Sequence, residues 1–192
     1  MDFKELVTKN RSFRGFDRTR RLTREELLDM VDCARLSASS VNKQPLKYYL
    51  AFEPESVDTI QPLTKWARGL PDMELPHPGK EPTAFIVICL DKTISDNEKI
   101  FTRDMGIAAQ TILLRAVEMG LGGCMIGNFS RPAVKEALDL APDLEPLLII
   151  ALGKPDEEVV LTDLPEDGST NYYRDENDVH YVPKRALSDI VL

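Results

Sequence analysis

The chain has 192 residues, 43% of them hydrophobic and 29% charged, enough for one domain with a sizeable core. Its 24 basic and 32 acidic side chains leave a formal charge of -8, which argues against a general nucleic-acid binder because phosphate backbones need a basic face. No apolar run approaches the roughly 20 residues that span a bilayer, and three scattered cysteines with two histidines exclude a disulfide framework and a multi-histidine metal site.

The opening MDFKELVTKN carries acids and lacks the apolar core of a secretory signal, so a reducing cytoplasm is the expected compartment. Phe3, Leu6 and Val7 share one face of a short helix starting near Asp2. Arg11 to Arg21 is basic, contains Gly15 and reads as a loop. Thr23 opens a second helix through a capping box with Glu26, and Leu27, Val31 and Ala34 mark its buried face. Ser37–Ser40 breaks that helix, Gln44-Pro45 forces extended chain, and Tyr48 to Phe52 reads as a strand.

Glu55 to Trp66 predicts a helix shortened or kinked by Pro62. Gly69 to Pro82, with four prolines, predicts a surface loop or lid. Ala84 to Leu90 (AFIVICL) has the unbroken β-branched pattern of a strand buried on both faces. Asp104 to Met119 is apolar nearly all round, so this longest helix is buried or lies in a subunit interface. Gly120–Gly123 ends it, Cys124 to Ile126 is a short strand, and Ser130 caps a helix with Pro132 in its first turn. Pro146 to Leu152 is another buried strand. From Asp156 the composition turns polar and acidic, which predicts an extended tail. The interleaved helices and strands indicate a single two- or three-layer domain of α/β type spanning residues 1–192.

Arg11-Ser12-Phe13-Arg14 places two guanidiniums and a hydroxyl together, a donor set suited to a phosphate. A solvated basic loop paired with the chain's own carboxylates is the competing reading. Ser39-Ser40-Val41-Asn42-Lys43-Gln44-Pro45 packs hydroxyls and amides that can read a heterocycle, or simply stop a helix and turn the chain. Gly120-Leu121-Gly122-Gly123 is not a dinucleotide fingerprint: Met125 stands where the third glycine belongs, and a helix leads into it rather than a strand. Gly127 after a strand lets backbone approach a flat ligand. Cys124 reads as a buried inert thiol, His180 as structural or solvated, and Lys184-Arg185 as a phosphate contact or a solvated basic spot.

Taken in order, these segments resemble the nitroreductase family of FMN-dependent enzymes. The matching pieces run from Arg11–Arg14 through Ser39–Pro45, Gly120–Gly123 and Met125-Ile126-Gly127. They end with Ala151–Pro155 and His180–Arg185, so they cover almost the whole chain. The resemblance implies an α+β, three-layer fold with a central, mainly antiparallel sheet flanked by helices. It also implies a homodimer that binds FMN at its interface, with the tail 156–192 wrapping the partner subunit.

By that resemblance Arg11, Ser12, Arg14, Lys184 and Arg185 hold the phosphate. Ser39, Ser40, Asn42 and Gln44 contact the flavin from one subunit, and Met125, Ile126 and the Gly127 amide approach the ring. NADH or NADPH would be the reductant, and a nitroaromatic, quinone, flavin or similar small molecule the acceptor. The flavin carries the chemistry, so no protein residue is assigned as catalytic and no metal is implied. A flavin carrier or sensor with little turnover is the alternative. The segment from Trp66 to Lys80 matches nothing in the resemblance.

Overall fold

The computed structural model describes residues 1–192. Helix α1 (Phe3–Lys9) starts at Asp2, whose carboxylate accepts the Glu5 amide at 2.8 Å. After β1 (Phe16–Asp17), α2 (Arg24–Arg35) shows the predicted capping box in full, with Thr23 and Glu26 each accepting the other's backbone amide. Leu27, Met30 and Ala34 form its buried face, and Val31 is only partly covered.

Strand β2 (Leu46–Ala51) leads to α3 (Pro54–Ile60), which stops before reaching Trp66. Pro62 falls in a following 3₁₀ turn, and Thr64 is already extended, bridged to Phe129. Strand β3 (Ala84–Asp91) is buried along its whole length, as its apolar run predicts. Helix α4 (Glu98–Glu118) is capped by Asn97 and begins at Glu98 rather than Asp104; Phe101, buried four residues before Met105, carries its apolar stripe into the first turns. Gly120, at φ +74°, ends it, and the Leu121 amide returns to the Ala116 carbonyl at 2.8 Å. Strand β4 (Gly122–Ile126), α5 (Arg131–Ala137) capped by Ser130, and β5 (Leu144–Pro155) follow.

The twelve-residue β5 is the spine of a five-stranded sheet in which every pairing is antiparallel. One edge of β5 meets β3, which pairs with β2; the other meets β4 and then β1. Alternation sorts the side chains between two faces. Ile86, Ile88, Ile150 and Leu152 pack under α2 and α4, against Leu27, Met30, Ile112 and Ala116. Phe85, Val87, Ile149 and Ala151 point the other way, onto Val57 and Ile60 of α3 and Val134 of α5. Each large buried side chain contributes about 1.5–3 kcal/mol. The result is the α+β, three-layer arrangement of helices on both faces of an antiparallel sheet.

The acidic composition after Asp156 predicts an extended tail. The structure instead folds part of it into a second sheet of β6 (Val159–Asp163), β7 (Tyr173–Arg174) and β8 (His180–Lys184), ordered β6-β8-β7. Beside it lies a buried ion pair between Arg174 and Glu157, with Asp178 at 2.9 Å from Arg174. Only the residues beyond Lys184 run on as an exposed end, in which Leu187, Ile190, Val191 and Leu192 are uncovered.

Candidate functional site

The basic loop after α1 is seated by glycine packing. The Phe13 amide donates to the Gly123 carbonyl at 3.1 Å, and Ser12 bridges Gly123 beside β4. A Cβ on Gly122 would lie 2.6 Å from the Phe13 ring, and one on Gly123 would lie 2.2 Å from the Ala151 carbonyl oxygen. Only glycine fits either place. The loop rejected as a dinucleotide fingerprint is therefore the bed on which Arg11–Arg14 lies.

The far end of the chain closes over that loop. The Arg14 amide donates to Glu157, and its guanidinium sits 3.3 Å from His180 Nδ1 and 5.0 Å from the centre of the Tyr172 ring. His180 is buried. Desolvation, with the charges of Arg14 and Arg174, pushes its pKa down from 6.5 to about 4, so it is neutral at pH 7.

Between loop and tail lies a cleft of about 370 Å³ lined by Asn10, Arg11, Ser12, Arg14, Met125 and Lys184 among others. Arg11 donates to the Val7 carbonyl at 3.0 Å, and burial lowers its pKa without discharging a guanidinium. The Nε atoms of Arg11 and Arg14 are buried without a hydrogen-bond partner. Buried donors left unpaired in a cleft are what an anionic ligand would satisfy.

A second cleft of about 580 Å³ adjoins the first and shares Arg14, Met125 and Tyr172 with it. Its wall includes Ile126, Gly127, Lys65, Trp66 and Arg68. A Cβ on Gly127 would meet nothing within 4 Å, so the backbone there is open to a ligand. Cys124, at its floor, is buried, and burial raises its thiol pKa, in keeping with an inert residue.

Ser39 and Gln44 line a third, separate cavity. Their segment is anchored by Asp104, a buried carboxylate within α4 that accepts from the Ser39 hydroxyl at 2.6 Å, the Ser40 hydroxyl at 2.7 Å and the Ser40 amide at 2.9 Å. Desolvation raises the pKa of Asp104, but these hydrogen bonds outweigh it and the net shift is downward. Val41, Asn42 and Gln44 all adopt positive φ (47°, 53° and 51°), and Asn42 and Gln44 are exposed and bonded to each other. Within one chain, then, Ser39, Ser40, Asn42 and Gln44 lie apart from the basic cleft.

A family model, the nitroreductase family, matches residues 7–154. This chain belongs to the nitroreductase family. The matched region holds the basic loop, the Asp104-anchored segment and the glycine bed. Beyond it lies the small sheet that closes the cleft.

Among relatives, a Methanothermobacter thermautotrophicus protein provisionally named NADH dehydrogenase/NAD(P)H nitroreductase is 26% identical over 169 residues, 85% of this chain and 83% of that one. A nitroreductase family protein of Clostridium difficile superposes with a TM-score of 0.69 at 23% identity, over 100% of this chain and 98% of that one. A protein of Exiguobacterium sibiricum, described as a provisional nitroreductase in complex with FMN, gives 0.68 at 20% identity, over 87% and 95%. At these identities the two superpositions show the nitroreductase fold.

Of the residues singled out in the sequence of this nitroreductase-family chain, Arg11, Ser12, Arg14, Met125 and Lys184 share the first cleft, and Ile126 and Gly127 join through the second. Arg185 does not line either; it donates to the Asp189 carbonyl at 2.8 Å, within the chain's exposed end. Sequence reasoning missed Asp104, Glu157, Tyr172 and the Lys65–Arg68 segment. Asp104 carried a signal, since it is an acid at a core-facing position of an otherwise apolar helix. Glu157 and Tyr172 carried none, because their partners lie far away in sequence.

Proposed function

We propose that this chain is an FMN-dependent NAD(P)H oxidoreductase that reduces a small-molecule acceptor such as a nitroaromatic, quinone or flavin. The observation that carries this reading is the first cleft, where Arg11 and Arg14 keep buried, unpartnered Nε donors beside Ser12 and Lys184. That donor set suits the dianionic phosphate of FMN. The FMN complex of the Exiguobacterium protein and the NAD(P)H in the name of the archaeal relative support the same direction. FMN, when bound, supplies the hydride-transfer chemistry.

The chain's own residues bind and orient. Arg11, Ser12, Arg14 and Lys184 would hold the phosphate. The exposed Gly127 backbone and Met125 would border the ring, and Tyr172 would wall off the side toward the tail. The loop 39–44, set apart from this cleft within one subunit, would complete the site of a second subunit in a homodimer. Leu187, Ile190, Val191 and Leu192, uncovered here, would be buried on that partner. No helix is long and apolar enough to cross a membrane. The proposal places the enzyme in the cytoplasm.

The test is flavin titration of wild type and Arg11→Ala, followed by anaerobic addition of NADH or NADPH. The variant should bind FMN more weakly by roughly 1.5–3 kcal/mol, the scale of a charged hydrogen bond. Wild type should bleach quickly with one of the nicotinamides. A protein that takes up no FMN would sink the proposal; uptake without bleaching would leave only a flavin carrier.

A further inference from the structure

The second cleft, like the basic cleft beside it, is positive in an acidic molecule. The chain carries 32 acids against 24 bases, yet this cleft is lined by three cations, Arg14, Lys65 and Arg68, and by no aspartate or glutamate. Lys65 and Arg68 form no ion pair, whereas Arg18, Arg20, Arg35, Lys80 and Arg115 elsewhere are each paired with a carboxylate. Two unneutralised charges beside an apolar floor make a focused positive field.

The segment that carries these cations is tied down at both ends. The Lys65 amide donates to the Asn128 carbonyl at 3.0 Å, Thr64 bridges Phe129, and Trp66 Nε1 donates to Thr64 Oγ1 at 2.8 Å. At the other end the Gly69 amide donates to the Tyr172 hydroxyl at 3.0 Å. Trp66 adds an aromatic face, and the cleft volume falls within the range of small-molecule sites.

We propose that Lys65 and Arg68 select an acceptor carrying a carboxylate, sulfonate or phosphate group, so that the oxidising substrate of this site is an anionic aromatic or similarly flat anion. The inference rests on the flavin reading for the turnover it invokes. With a nitroarene the balanced step is ArNO₂ + NAD(P)H + H⁺ → ArNO + NAD(P)⁺ + H₂O. One N–O bond breaks, two electrons pass from the nicotinamide to the nitro nitrogen, and the released oxygen leaves as water. The phosphates of the dinucleotide share the anionic chemistry, so the test has to separate the two sources.

Trp66 is the only tryptophan and lies in the cleft, so its fluorescence reports occupancy without any turnover. Quenching by 4-nitrobenzoate, 4-nitrobenzenesulfonate and neutral 4-nitrobenzamide is measured on the full-length protein with and without FMN, at low and high ionic strength. The anions should bind at least about fivefold tighter than the amide, the scale of a partly exposed ion pair, and salt should erode the difference. The Lys65→Gln/Arg68→Gln double variant should bring the ratio close to one, and kcat/KM ratios of the FMN-loaded enzyme should follow it. Equal binding of the three probes, or a ratio indifferent to the double variant, overturns the proposal. Slower bleaching by NADH or NADPH in the variant with an unchanged acceptor ratio assigns the cations to the dinucleotide and also overturns it. Failure to take up FMN defeats the flavin reading by itself, and the quenching ratio then still decides whether the cleft selects anions.

Discussion

The Tyr172 ring lies against the Arg14 guanidinium, 5.0 Å from its centre, while the Tyr172 hydroxyl accepts the Gly69 amide at 3.0 Å. One side chain thus joins the basic loop Arg11–Arg14, the tail and the irregular segment before β3. Tyr172→Phe keeps the stacking and loses the Gly69 hydrogen bond, so it should cost about 1 kcal/mol in urea unfolding. Trypsin should also cut faster after Arg68, because the segment opens locally more often. Tyr172→Ala removes both contacts and should cost about 2 kcal/mol, a half-buried aromatic deletion. Identical proteolysis of wild type and Tyr172→Phe would show that the hydroxyl does not restrain the segment.

His180 gives the fold an acid limit. Its folded pKa is depressed to about 4 against 6.5. A depressed histidine binds its proton more readily when unfolded, so the stability of the neutral form is complete above pH 6.5. It is lost progressively as pH falls through about 4. The full loss is roughly 3 kcal/mol, at about 1.4 kcal/mol per pKa unit. His180→Gln should flatten the stability profile between pH 6.5 and 4. If wild type and variant lose stability in parallel across that window, the limit lies elsewhere.

Asp104 acts lower on the pH scale and with the opposite charge. Its net downward shift means that its stabilising contribution is present above the ordinary carboxylate pKa and fades as pH falls below it. Asp104→Asn should cost about 1.5–3 kcal/mol at pH 7, because charge-assisted bonds to Ser39 and Ser40 are weakened. Most of that cost should vanish in strongly acidic solution. A cost independent of pH would mean that the carboxylate charge does not hold the 39–44 loop.

Gly123 within β4 and Gly127 just after it should respond in opposite ways. Gly123→Ala forces a methyl onto the Ala151 carbonyl and should destabilise by about 3 kcal/mol. Gly127→Ala meets open space and should change stability by no more than about 0.5 kcal/mol, while weakening FMN binding. Unfolding midpoints and FMN titration of the two variants separate the roles. Full FMN affinity in a stable Gly127→Ala protein would remove that backbone from the flavin's neighbourhood.

What could be read before the structure was local. The capping box at Thr23 and Glu26, the twice-buried run Ala84–Leu90 and the donor-rich loop Arg11–Arg14 each declare themselves within a few residues. The start of α4 at Glu98 was less plain, because Phe101 is the one buried apolar position among Glu98, Lys99, Thr102 and Arg103. The ion pair of Glu157 and Arg174, and the stacking of Tyr172 on Arg14, connect segments whose own patterns look like solvated tail. Composition therefore predicts an extended tail where the fold builds a small sheet around a buried arginine–glutamate pair. For the same reason Lys65 and Arg68 read as ordinary surface charges until the fold sets them opposite Arg14.

The cleft that joins Asn10–Arg14 to Tyr172, His180 and Lys184 draws on both ends of the polypeptide. During synthesis, at about 5–20 residues per second, the main sheet has all its strands once Pro155 has emerged, yet the pocket still lacks a wall. A chain halted or clipped before Tyr172 would keep the residues of its two-faced core and lose the Tyr172, His180, Val182 and Lys184 wall of the cleft. On the proposed flavin reading, FMN uptake would report that the residues up to Lys184 are in place, so the segment after Pro155 serves the cleft rather than the main sheet.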